Sequence, residues 1–185
     1  MADDRPCIGK AFITGVGMLS ADMVGVGDDA PEFTLRGVTA DGSIEQYTLE
    51  SLTDDAALLL GVYPYDFSPV CTRQLCDIDD FEWMTFEDRL NVVAVGGDGP
   101  YSHQRFSEER NISYPLLCDT ATDVCESFGV LNEEKDGVRK VPQRSVFLVG
   151  PDGRVEYRWV AEDNWTDWEQ TPLQDVKDRF DELDL

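Results

Sequence analysis

Positive charge is what this sequence has least of. Fifteen lysines and arginines stand against 38 aspartates and glutamates, for a formal charge of −23, and only four of the fifteen are lysine. Such a surface repels polyanions, so nucleic acid and anionic lipid are excluded as natural partners. Histidine is nearly missing too: His103 is the only one. The five cysteines, Cys7, Cys71, Cys76, Cys118 and Cys125, include no CxxC pair and make an odd number. That argues against structural zinc and against a secreted disulfide framework. No apolar run approaches the ~20 residues of a membrane-spanning helix, so no membrane partner and a cytoplasmic location are expected. Acid-rich, lysine-poor composition keeps a chain hydrated in concentrated salt. A salt-adapted cytosol is the expected setting, and an acidic interaction protein is the competing explanation.

What is there suits one globular unit. A length of 185 residues with 42% hydrophobic content can bury a core of ordinary size. Residues 1–22 read as an N-terminal extension. Their apolar part, Ala11–Leu19, is interrupted by Thr14, Gly15 and Gly17 and follows acidic Asp3 and Asp4, unlike a signal peptide. Residues 23–185 then form the domain. A hairpin is expected from Phe33–Leu35 and Ile44–Leu49, and a buried strand from the continuous apolar run Ala56–Tyr63. Helical character is expected over Cys71–Phe86, a strand over Asn91–Val95 and a polar helix over Ser102–Arg110. Ser113–Leu117 reads as a strand and Thr120–Phe128 as a helix closed by Gly129. Ser145–Val149 and Arg154–Val160 should pair antiparallel through Pro151-Asp152-Gly153. Pro172–Leu183 puts Leu173, Val176, Phe180 and Leu183 on one helix face. This order describes an α/β protein with a central mixed sheet flanked by helices. A thioredoxin-like fold satisfies it, and so do flavodoxin-like arrangements.

The segment with chemistry in it is Tyr63-Pro64-Tyr65-Asp66-Phe67-Ser68-Pro69-Val70-Cys71, continuing to Cys76. A strand ends, a proline-rich loop turns, and a cysteine opens a helix. Helix N-termini present unpaired N–H groups and about half a positive charge, which favour the thiolate, the nucleophilic form. In so anionic a chain a local cation is needed as well, and Arg73 and Arg144 are the candidates.

Pro64, Ser68 and Cys71 match Pro-x-x-x-(Thr/Ser)-x-x-Cys, and here the sequence resembles the peroxiredoxins, from Gly27 to about Val160. Cys71-(x4)-Cys76, Leu116–Asp119 and Val124–Val130 are similar to the Q-type branch, the bacterioferritin comigratory proteins. The resemblance implies a thioredoxin-like fold and a thiol-dependent peroxidase that uses no cofactor and no metal. Cys71 would attack hydrogen peroxide or an organic hydroperoxide and become a sulfenic acid. Pro64 would shield it, Ser68 would hydrogen-bond the peroxide, and Arg144 would stabilise the thiolate and the leaving oxygen. Ser68 stands where threonine is commoner. It keeps the hydroxyl but loses the methyl that limits rotamers.

The resemblance also implies that Cys76 resolves the sulfenic acid as an intramolecular disulfide, recycled by thioredoxin or a similar dithiol. Five helical residues separate Cα atoms by about 8–9 Å, whereas a disulfide needs roughly 4.4–6.8 Å. The helix start must therefore unwind before the bond can form. Cys125 is the alternative resolving residue, against a role in the core. Cys118 reads as structural, Arg73 as a surface counter-charge and His103 as a solvated residue. Trp165 and Trp168 read as packing, with partner docking as the other use. Two further functions stay open: a peroxide sensor that relays its disulfide to a partner protein, and a thiol–disulfide oxidoreductase, which the missing CxxC disfavours. A monomer or homodimer is expected.

Overall fold

A computed structural model of the chain describes residues 23–81 and 87–183. The N-terminal extension and residues 82–86 lie outside these residues, and the helix expected over Cys71–Phe86 ends at Asp80, with Phe81 as its C-cap.

Seven strands form one mixed sheet in the order β2-β1-β5-β4-β3-β8-β9. In its interior is β3 (Ala57–Tyr63), whose seven residues are all buried. An uninterrupted apolar strand is what a sheet covered on both faces demands. β4 (Leu90–Gly96) and β5 (Leu116–Cys118) run parallel to it in succession, while β8 (Ser145–Val149) lies antiparallel on its other side, followed by β9 (Val155–Val160). β1 (Thr34–Val38) and β2 (Ile44–Thr48) make the expected hairpin, with β1 antiparallel to β5. This is the expected mixed α/β architecture.

Because strand side chains alternate, the sheet divides the core in two. Ala57, Leu59 and Tyr63 of β3 join one cluster, which also contains Leu75, Ile78, Phe106, Leu173, Val176 and Phe180. Leu58, Leu60 and Val62 join the other, with Leu49, Leu52, Val124, Cys125 and Phe128. The first face is therefore covered by α2 (Pro69–Asp80), α3 (Pro100–Arg110) and α5 (Thr171–Glu182). The second is covered by α1 (Leu49–Thr53) and α4 (Asp123–Ser127).

Each helix follows from its sequence locally. In α2, Cys71, Gln74, Leu75 and Ile78 form a buried stripe at three- and four-residue spacing, and Pro69 occupies the first turn, where a missing N–H costs nothing. Burying Leu75 and Ile78 contributes about 1.5–3 kcal/mol each, so Leu75→Ala weakens this docking directly. In α5 the stripe is Leu173, Val176 and Phe180, as the pattern predicts. Thr48 caps α1 with a reciprocal Thr48–Ser51 capping box.

Several boundaries differ from expectation. The segment 120–128 is helical only over α4, and Gly129 closes it in the left-handed region at φ 69°. The segment 113–117 is strand only from Leu116. A two-stranded hairpin, β6 (Leu131–Lys135) with β7 (Val138–Pro142), was not anticipated because its strands are mostly polar. Asp136-Gly137, both at positive φ, is the turn signal that marks it.

Candidate active site

The topology brings distant residues to one end of the sheet. Tyr63, Gly96 and Cys118 lie in register at the carboxyl ends of the three parallel strands. β8 runs the other way, so its first residue, Ser145, sits beside Val62 at that same end. Arg144 immediately precedes β8, and Cys71 lies in the first turn of the helix that leaves β3. A sequence separation of 73 residues thus becomes a direct contact.

Cys71 is fully buried. Arg144 Nη2 donates to its Sγ at 3.3 Å. The guanidinium is itself fully buried and held from several directions. Nη1 donates to Gln74 Oε1, and Nη2 also donates to the Asn164 carbonyl at 2.7 Å. The Arg144 main-chain N–H donates to Asn164 Oδ1 at 2.6 Å, and Asn164 Nδ2 in turn donates to the Pro142 carbonyl at 3.0 Å. Gln74 is fixed by its own bond to the Val62 carbonyl at 3.2 Å. One buried N–H of the guanidinium, on Nε, has no partner among the described residues. A cation with planar, directed donors is thereby aimed at the sulfur, an arrangement lysine could not reproduce.

Ser68 is the N-cap of α2 and half-buried. Its carbonyl accepts from Thr72 N at 2.8 Å, but its hydroxyl makes no capping bond. Pro64 is buried in the loop before it. Cys76 is half-buried on the same helix, and α2 runs unbroken from Cys71 past it, with both cysteines free. Burial pushes the Cys76 thiol up; Arg110 opposes this, while Asp77, Asp79 and Asp80 add to it.

Cys125 stands elsewhere. It is fully buried, but in the cluster on the opposite face of the sheet from Cys71 and Cys76. Burial and the Asp119 carboxylate both hold its thiol well above the usual range. Arg73 is exposed, and its guanidinium is engaged by the Trp168 carbonyl at 2.9 Å. Trp168 itself is buried edge-on against Trp159 and donates to Asp77 Oδ2 at 2.7 Å, so packing accounts for it.

The expectation that His103 is solvated is wrong. It is fully buried, because α3 turns this position inward with Phe106 and Ser107. Its Nδ1 lies 2.9 Å from Asp66 Oδ2 and its Nε2 3.3 Å from the Leu117 carbonyl. Both ring nitrogens face acceptors, as an imidazolium requires. Burial pulls its pKa down, but hydrogen bonds to Asp66 and Cys118 prevail and raise it to about 9. Tyr63 Oη donates to Asp66 Oδ1 at 2.8 Å, and Asp66 N–H donates to Asp98 Oδ2 at 2.8 Å. Gly96 makes room for that tyrosine: a Cβ there would fall 2.6 Å from the ring. Gln74 and Asn164, which aim Arg144, and the Asp66–His103 pair were all missed. Gln74 could have been found three residues after Cys71 on one helix face, whereas Asn164 has no sequence signal.

Among the described residues there is no cluster of metal-ligating side chains, and no helix is long and apolar enough to cross a membrane. Residues 26–158 match the model of the AhpC/TSA family. The chain is 30% identical over 148 residues to a putative peroxiredoxin, YkuU, of Bacillus subtilis, a match covering 75% of this chain and 79% of that protein. It is 31% identical over 137 residues to the peroxiredoxin Bcp of Escherichia coli K12, covering 71% and 82%. The crystal structure of peroxidoxin BcpB from Mycobacterium tuberculosis has the same fold, with a TM-score of 0.72 at 23% identity over 88% of this chain and 99% of that one.

Proposed function

This chain belongs to the AhpC/TSA family and is a thiol-dependent peroxidase; within that activity we propose that Cys71 is the attacking sulfur, Arg144 its electrostatic partner and Cys76 the resolving thiol. The observation that carries the reading is the 3.3 Å contact between a buried guanidinium and the Cys71 sulfur at the start of a helix. The sulfur attacks one oxygen of the hydroperoxide. An S–O bond forms, the O–O bond breaks, and the second oxygen leaves as an alcohol or water once protonated. Charge develops on that leaving oxygen, and prealigned donors in a dry site stabilise it without reorganising. The unpaired Nε–H of Arg144 supports this role, since a buried donor gains most when an acceptor arrives. Ser68 keeps its hydroxyl out of the helix cap and so can serve the peroxide. Pro64 excludes water from the sulfur.

Cys76 then attacks the sulfenic acid, an S–S bond replaces the S–O bond, and water leaves. The opposite-face position of Cys125 supports Cys76 over it, and the Cys125 thiol is the more strongly raised of the two. A dithiol reductant closes the cycle, and we take thioredoxin or a similar protein to be that reductant, acting in the cytoplasm on a monomer or homodimer. The acidic surface fits a salt-rich cytosol.

The test is to treat reduced protein with one equivalent of hydrogen peroxide and map disulfides by mass spectrometry in wild type, Cys71→Ser and Cys76→Ser. A 71–76 bond in wild type and a persistent sulfenic acid in Cys76→Ser are expected. Peroxide consumption that survives Cys71→Ser removes the reading. Repeated turnover with a thioredoxin system separates a peroxidase cycle from a sensor that stops after one oxidation.

A further inference from the structure

The buried Asp66–His103 pair has no part in the chemistry above, yet it sits inside the loop that carries the site. Asp66 lies two residues before Ser68 and five before Cys71. Its carboxylate is hidden and tied two ways, to His103 on α3 and to Tyr63 at the end of β3, and its main-chain N–H donates to Asp98. The next residue, Phe67, is held at φ 60°, in the left-handed region that an aromatic side chain adopts only under constraint. Its ring is nearly half exposed and rests edge-on against Phe106 at 5.2 Å. Strain of this kind persists only where neighbouring contacts over-determine the backbone, and it clusters at active sites and switch segments. Directly after it, α2 begins with no side-chain cap bond at Ser68.

We infer that Asp66 and His103 form a latch holding the Pro64–Ser68 loop in the assembled site, and that release of this latch sets how readily Cys71 reaches Cys76. The inference rests on the reading of Cys71 as attacking and Cys76 as resolving sulfur. Both residues are positioning residues. While the latch is closed, the first turn of α2 stays wound, Arg144 stays on the sulfur, and the two cysteines are too far apart to bond. An ion pair suits such a latch better than an apolar anchor does. Two charges leaving the interior recover their hydration, so the open state is not penalised as exposed hydrocarbon would be.

The latch sets a partition. Opened, Cys71–SOH meets the Cys76 sulfur, the S–S bond forms and the oxygen departs as water. Closed, the sulfenic acid remains in the site that activates peroxide, and a second hydrogen peroxide gives it one oxygen: a new S–O bond forms, the O–O bond breaks and water leaves, yielding the sulfinic acid. His103 is faced by Tyr63 from β3, Asp66 and Asp98 from two loops, and Cys118 from β5. With its pKa raised from 6.5 to about 9, the charge of His103 stabilises the closed loop fully below the ordinary histidine value. That contribution is lost as pH rises through about 9.

The experiment compares wild type, His103→Gln and Asp66→Asn during turnover at increasing hydrogen peroxide, with the ratio of sulfinic acid to 71–76 disulfide read by mass spectrometry. Loss of a charge-assisted bond should lower that ratio on the order of tenfold in both variants. Between pH 8 and pH 10 the wild-type ratio should fall in a step that His103→Gln lacks, a difference that general loosening does not produce. Folded variants that consume one equivalent of peroxide normally but partition as wild type does overturn the latch and leave the peroxidase reading standing. Failure of wild-type Cys71 to consume peroxide instead removes that reading. Should the variants not fold, amide exchange over residues 64–73 of the wild type, corrected for intrinsic base catalysis, decides the matter. An extra rise through pH 9 supports the latch, and none overturns it.

Discussion

Cys71 and Cys125 are equally hidden from solvent, both at 0% exposure, yet the fold gives them opposite surroundings. Cys71 opens a twelve-residue helix and receives an N–H from the Arg144 guanidinium. Cys125 sits in a five-residue helix beside the Asp119 carboxylate, which accepts its main-chain N–H at 2.9 Å. One sulfur faces a cation and the other an anion, across the thickness of the sheet. Burial therefore says nothing about which cysteine reacts. In the proposed reading the sign of the nearest charge does, because an anionic nucleophile must be stabilised where water cannot reach it.

The comparison can be broken most severely at Cys71 itself. Cys71→Ser should reduce peroxide consumption to the background of the buffer, measured by a direct peroxide assay, while thermal unfolding stays cooperative. Next in size is Arg144→Lys, which keeps a charge but loses the two-pronged geometry held by Gln74 and Asn164. Its kcat/KM for hydrogen peroxide should drop about 10²–10³-fold. A rate within a few-fold of wild type would mean that charge alone suffices.

Cys76→Ser should leave the first oxidation intact and remove steady-state turnover with a dithiol reductant, because the sulfenic acid then has no partner. Stopped-flow and turnover assays on one preparation separate the two steps. The smallest effect belongs to Cys125→Ala. Its turnover should stay within about twofold of wild type, and stability should fall by about 1 kcal/mol from lost packing. The raised thiol pKa adds a pH expectation. In the folded protein Cys125 should resist alkylation well above the usual cysteine range of about 8.5, and become reactive only on unfolding. Because its folded pKa is raised, any stability it contributes is present at neutral pH and fades in alkali.

Much of this is legible in the sequence. The run Ala57–Tyr63 announces a strand covered on both faces, and Leu173, Val176 and Phe180 announce a helix lying on a core. Pro64, Ser68 and Cys71 mark by local pattern the turn proposed to carry the reaction. Elsewhere the local signal is weak or misleading. The sequence Pro100–Arg110 is polar nearly all round, so His103 looks solvated, and only the docking of α3 beside the loop reveals it as a buried partner of Asp66. The β6–β7 hairpin carries few apolar residues and is betrayed only by Asp136-Gly137.

What the sequence by itself determined is the set of short-range choices: strand, turn, helix start, and a cysteine placed at that start, since each depends on residues a few positions apart. Tertiary structure alone decided the long-range ones. Arg144 meets Cys71 because β8 runs antiparallel to β3 and starts at the end of the sheet where β3 finishes. Cys125 is kept from Cys71 because the helices that carry them pack on opposite faces of the sheet. Those outcomes depend on how strands pair and which face each helix covers, and pairing is a property of the whole packed chain.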